Sequence, residues 1–220
     1  MNKEDVLKKL KLSYLAPFAI IVNIFVAIFL IVPYFTISNK QSIPMYLKLF
    51  LIFWCVCSIL SIIQERRSNK VTDSIIMARI YLIINILGAY ILPLAFGTIY
   101  VFAAELFAYK VFDKWLELLL YIVVSWLGMH IFLKSEFKIG KLLNNVIFRI
   151  IGVVLIIGSF VYIIRLGFAV PEYDAESKRF ILFSIVPLIV AHSYIVRAYF
   201  NYGLYLEYLK DDSEQEEVAK

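Results

Sequence analysis

Charge is scarce in this sequence: only 18% of its 220 residues are Asp, Glu, Lys or Arg. Soluble globular domains carry nearer a quarter charged residues and about half apolar ones. Here 62% of residues are hydrophobic, and mean hydropathy reaches +0.84. An ordinary soluble enzyme and a disordered chain are both excluded. Cysteine is nearly absent too. Cys55 and Cys57 sit two apart in an apolar run, so a helix points them roughly 200° away from each other. That spacing suits neither a mutual disulfide nor a shared metal site, and a disulfide-rich secreted module is excluded. Glycine (8 residues) and histidine (2) are few. No phosphate-binding glycine loop, HExxH, CxxC pair or nucleophile elbow occurs.

What the chain does have is apolar length. Runs over residues 14–35, 44–63, 74–99, 115–133, 146–168 and 180–200 each match the ~20 residues that cross a ~30 Å hydrocarbon core. The first is too long for a signal-peptide core and lacks a small-residue cleavage site. The stretch from Ile75 to Phe112 has few breaks besides Pro93 and Gly97, and allows two readings. Either one span is followed by an interfacial helix at 101–114, with Phe102, Leu106, Val111 and Phe112 opposite Glu105, Lys110, Asp113 and Lys114, or two spans form a hairpin turning at Pro93–Gly97. Charge decides between them. Six spans with the N-terminus inside put fifteen of the 22 Lys and Arg on the cytosolic side, as positive charge partitions inward. A seventh span would move the basic 134–141 loop outside. The expectation is an all-α polytopic bundle of about six spans with both termini cytosolic. Residues 1–13 read as a basic N-terminus and 201–220 as a helical stem with an acidic tail.

Candidate sites are few. An intramembrane enzyme needs a nucleophile with a base, or paired acids at one depth, and neither is visible. No catalytic, cofactor-binding or metal residues are assigned. His130 and His192 lie in the fourth and sixth spans, where they could meet, but no Asp, Glu or Cys accompanies them to complete a metal site. They read as packed or hydrogen-bonded core histidines. Asn23 and Asn85 are the most central polar side chains and read as interhelical contacts of the bundle or of an oligomer. Pro33, Pro93 and Pro187 can each kink a span, Pro187 above all.

The sixth run continues as helix to Lys210, about half as long again as the bilayer core. It carries Tyr199, Tyr202, Tyr205 and Tyr208 at one-turn spacing, followed by Asp211 and Asp212. Such tyrosines can form an interfacial belt. Because the row passes the headgroups, Tyr202, Tyr205, Tyr208, Asp211 and Asp212 are the candidate docking residues for a cytosolic protein. The expected partners are the lipid bilayer, further copies of the chain and that protein, with no nucleic acid. The expected function is a non-enzymatic membrane subunit that scaffolds, senses or forms a pore. A small-solute or ion transporter is the alternative. Abundant Phe, Tyr, Ile, Asn and Lys with sparse Ala and Gly suggests an AT-rich gene, hence a bacterial plasma membrane and a setting such as stress response, phage defence or toxin immunity.

Overall fold

The computed structural model describes residues 2–12, 16–36, 43–66, 71–140, 145–172 and 178–218. These fold as seven helices: α1 (Lys3–Lys11), α2 (residues 16–36), α3 (Met45–Arg66), α4 (Ile75–Leu106), α5 (Phe112–Glu136), α6 (Val146–Ala169) and α7 (residues 179–218). From α2 onward, all six are long and apolar enough to cross a membrane. Their outer faces are apolar as well. On α6, Ile147, Ile150, Val154, Ile157 and Val161 all point outward. Such a surface is suited to hydrocarbon rather than water.

α4 behaves differently. From Ala89 to Phe102 its residues are buried with the single exception of half-buried Phe96. A helix apolar on every face belongs at the centre, and α4 packs against α1, α2, α3, α5 and α7. α5 and α6 pair most closely beside it. A Cβ added at Gly152 would lie 2.6 Å from the Gly128 carbonyl oxygen, and one at Gly128 would lie 2.8 Å from the Gly152 oxygen. Two glycines facing each other thus let the backbones touch, as small residues do between membrane helices.

The third span differs from the sequence expectation. α4 runs unbroken to Leu106, so residues 101–106 prolong the span and the separate interfacial helix at 101–114 does not form. Pro93 and Gly97 lie within the helix, so no hairpin turns there. A short turn with Ala108 at φ +63° leads into α5 at Phe112. Of the four polar residues that suggested an amphipathic helix, Glu105 is satisfied internally. Tyr46 OH donates to Glu105 Oε1 at 2.8 Å, and the Val111 N–H donates to the same oxygen at 3.2 Å.

Proline acts one turn upstream of its own position. It removes an N–H and crowds the carbonyl four residues back. Before Pro33, residues Ala27–Ile31 widen into a π-helical turn. Before Pro187, α7 breaks at Ser184, whose hydroxyl donates to the Ile181 carbonyl at 2.6 Å. The bend expected at mid-span therefore lies near the start of α7.

Candidate functional site

Residues 1–13 read in the sequence as a basic flank, yet residues 3–11 form a helix built into the bundle. Asn2 caps α1: its side chain accepts from the Asp5 N–H at 2.8 Å, and Asp5 answers with a bond to the Asn2 N–H. This reciprocal capping box satisfies the first turn. Val6, Leu7 and Leu10 are fully buried, and α1 packs on α7 and α4.

Polar side chains hold both ends of α1. At its C-terminal end, the last carbonyls of a helix have no partner within it. Here Asn85 Nδ2 on α4 donates to the Leu10 carbonyl at 2.8 Å, and Gln64 Nε2 on α3 donates to the Lys11 carbonyl at 3.0 Å. Asn85 Oδ1 accepts in turn from Gln64 Nε2 at 2.8 Å and from Tyr194 OH of α7 at 3.3 Å. One amide on the central helix thus connects α1, α3 and α7. Gly88 makes room for this junction, since a Cβ there would lie 2.5 Å from Ser61 Oγ on α3.

At the N-terminal end, Lys3 Nζ lies 2.9 Å from Asp73 Oδ2 and 2.8 Å from Asp212 Oδ2. Tyr205 OH donates to Asp73 Oδ1 at 2.7 Å, and the Lys3 ammonium sits 5.9 Å from the Tyr205 ring centre. The bond to Asp212, reinforced by Asp73, raises the Lys3 pKa well above the ordinary lysine value. For Asp73, burial pushes the pKa up, but the bonds from Lys3 and Tyr205 outweigh it and hold the carboxyl below its usual value. The two ends of the chain are therefore clasped at one end of the molecule.

The clasp changes the role of the tyrosine row. Tyr205 is wholly buried and Tyr202 nearly so, and Gly203 between them lies against Phe137 and Ile139 of the turn after α5. The chain's own segments cover Tyr202 and Tyr205, two of the five residues expected to receive a partner. Tyr208 stays half-buried, while Glu207, Asp211, Asp212 and Glu214 are exposed.

The other candidates are bonded in pairs. Trp54 Nε1 donates to Asn23 Oδ1 at 2.9 Å. His192 Nε2 is 2.9 Å from Ser125 Oγ, and His130 Nδ1 meets Tyr199 OH. The two histidines thus take separate hydroxyl partners and do not meet. Among the described residues, no group of three or more His, Cys, Asp or Glu could hold a metal ion. Sequence reasoning missed Lys3, Gln64, Asp73 and Tyr194. For α1 a signal existed in the Asn2–Asp5 capping pair and the Val6, Leu7, Leu10 spacing.

Six apolar spans, one of them a buried central helix, with Asn85 and both histidines bonded inside the bundle, define a multi-pass membrane protein. The chain belongs to the DUF5079 family, whose model, described as a domain of unknown function, matches residues 3–216. Both α1 and the acidic end of α7 lie within that stretch. No curated protein and no solved structure matches the chain.

Proposed function

We propose that the chain is a non-enzymatic multi-pass subunit of a bacterial plasma membrane that scaffolds or senses, and couples to a soluble cytosolic protein through the acidic end of α7. One observation carries this reading: α7 leaves the bundle with Glu207, Asp211, Asp212 and Glu214 exposed, while Asn85, His130 and His192 are each bonded within the bundle. Paired interior groups support a packed core, and an exposed run of one charge supports steering of a basic partner. The clasp from Lys3 to Asp212 means that a protein seated there would touch the element that holds α1 in place. Both ends then share the cytosolic face under the positive-inside rule, and self-association is part of the proposal.

The test compares wild type with Asp211→Asn/Glu214→Gln, which leaves the clasp intact, after purification in mild detergent. A stoichiometric soluble protein recovered with wild type, and several-fold less with the variant at physiological salt, is the expected result. Equal recovery would return the acidic end to a solvated tail. Solute flux by the pure chain in liposomes, with no soluble partner, would overturn the reading in favour of a small-solute transporter.

A further inference from the structure

α2 and α3 do not close on each other. Between them lies a cleft of about 530 Å³, flanked by Ile20, Ile24, Ile59 and Ile62, within the roughly 300–1,000 Å³ typical of small-molecule sites. These four isoleucines are also exposed on the outer surface, so the cleft opens sideways into the apolar belt. Its floor is polar. Behind it a chamber of about 30 Å³ is bounded by Asn23, Ser58, Ser61, Asn85 and Gly88, room for a single polar group. Asn23 spends its oxygen on Trp54, and its NH2 has no acceptor among the described residues. The buried Ser58 hydroxyl has no partner either. At the mouth stands half-buried Glu65, with no cation paired to it among the described residues.

The three features are graded along one line. Ser61 and Ser58 lie four and seven residues from Glu65, about 6 and 10 Å along the helix. An unpaired carboxylate at the membrane edge, the unpartnered Ser58 hydroxyl about two turns deeper (Ser61 between them donates to the Cys57 carbonyl) and an apolar slot beyond match the order of groups in a lipid with a cationic head. We propose that this cleft binds one ethanolamine glycerolipid from the bilayer. Its ammonium sits at Glu65, an ester carbonyl accepts from the Asn23 NH2, and an acyl chain lies along Ala27, Ile31 and Trp54. Unpaired intramembrane donors find an acceptor in this way, and Glu65 supplies the discrimination between headgroups. Because Asn85 lines the chamber and also holds the Leu10 carbonyl, the bound lipid and α1 share one side chain. The inference stands whether or not a cytosolic partner binds.

Trp54 reports on the site. With Trp115→Phe and Trp126→Phe it is the sole tryptophan of the original three. This variant is reconstituted in vesicles whose acyl-brominated component is either phosphatidylethanolamine or phosphatidylcholine, and quenching of Trp54 is followed against mole fraction. The expected result is a several-fold preference for the ethanolamine lipid. Glu65→Gln should bring the ratio to one, and Ala27→Phe, which fills the slot, should lower quenching by both lipids. A ratio of one in the parent would reduce the cleft to ordinary annular lipid and overturn the proposal, as would a preference that survives Glu65→Gln. Weak quenching by either lipid, together with a dimer cross-linked through α2 or α3, would assign the cleft to a second copy and overturn it too. Glu65→Gln is isosteric, so it decides the matter even if Ala27→Phe fails to fold.

Discussion

Replacing Asn85 with Leu should release α1 while leaving the spans assembled. Leu keeps the branched four-heavy-atom shape of Asn, though bulkier, and its apolar side chain suits α4. What disappears is a set of three hydrogen bonds: to the Leu10 carbonyl at 2.8 Å, from Gln64 at 2.8 Å and from Tyr194 at 3.3 Å. Interhelical bonds in membrane proteins average about 0.6 kcal/mol and reach about 1.7. Of the three only the Leu10 bond joins α1, so the cost to α1 is that of a buried carbonyl left without its donor, about 2 kcal/mol within the usual range of about 1–3, while the other two bonds hold the Asn85 amide in place. At 1.36 kcal/mol per tenfold, α1 should undock about 30-fold more often. A nine-residue helix is marginal alone in water, so each undocking exposes its amides. Hydrogen exchange in detergent or nanodiscs, read by mass spectrometry over residues 6–11, should show protection falling by that factor, with α4 to α6 unchanged. Tyr194→Phe removes only the longest bond and should cost about threefold. Asn85→Leu with Gln64→Leu should fall short of the sum of the singles, because they share the Gln64–Asn85 bond. Unchanged protection of α1 in a folded Asn85→Leu protein would refute the idea that this amide holds the helix.

The N-terminal clasp has a pH window set by two shifts of opposite sign. Lys3 is raised, so its contribution is complete below the unfolded lysine pKa and lost as pH rises through the higher folded value. Asp73 is lowered, so its contribution is complete above the unfolded aspartate pKa and lost as pH falls through the lower folded value. α1 protection, corrected for intrinsic exchange, should be flat through neutrality and drop at both extremes, and Lys3→Met should shrink both drops, leaving what the Tyr205–Asp73 bond and the Glu4–Lys8 pair contribute. Gly152→Ala should destabilise the α5–α6 pair by about 1–3 kcal/mol through overpacking, since its Cβ would also meet Phe132 Cβ at 2.8 Å. Gly158→Ala has nothing within 4 Å and should be neutral or slightly stabilising, both being read from thermal unfolding in detergent. For topology, Lys138→Cys and Glu172→Cys in a background with Cys55 and Cys57 replaced by Ala should respond differently to an impermeant thiol reagent on whole cells. Glu172→Cys should label and Lys138→Cys should not, and the reverse pattern would invert the orientation.

The spans were legible in the sequence because hydropathy is a local property. Crossing hydrocarbon requires about twenty apolar residues in a row, and no distant partner alters that count. The boundary at residue 106 was not legible for the opposite reason. Glu105 looks like part of a polar helix face only until Tyr46, from a different span, takes up its carboxylate. A residue's own neighbours say that it is polar. They do not say whether water or another helix satisfies it.

The same limit governs the site. Asn85 stood out as an amide in an apolar run, but its chief acceptor is the Leu10 carbonyl, 75 positions away, and backbone carbonyls leave no mark in a sequence. The tyrosines at 199, 202, 205 and 208 were visible as a stripe at one-turn spacing. Spacing alone shows that such a stripe wants cover, without naming what covers it. Here part of the cover is α1, a helix of nine residues in which Val6, Leu7 and Leu10 are outnumbered by charged neighbours, so composition made it a flank rather than an element. That is the cost of a short amphipathic helix as a signal, and also its mechanical use. A helix too short to be stable by itself stays folded through the burial of Val6, Leu7 and Leu10 and the bonds of Lys3, Gln64 and Asn85. Any event that withdraws Asp212 from Lys3 at the exposed end of α7 therefore weakens α1 as a unit, and α1 packs directly on the central helix around which the other spans are arranged.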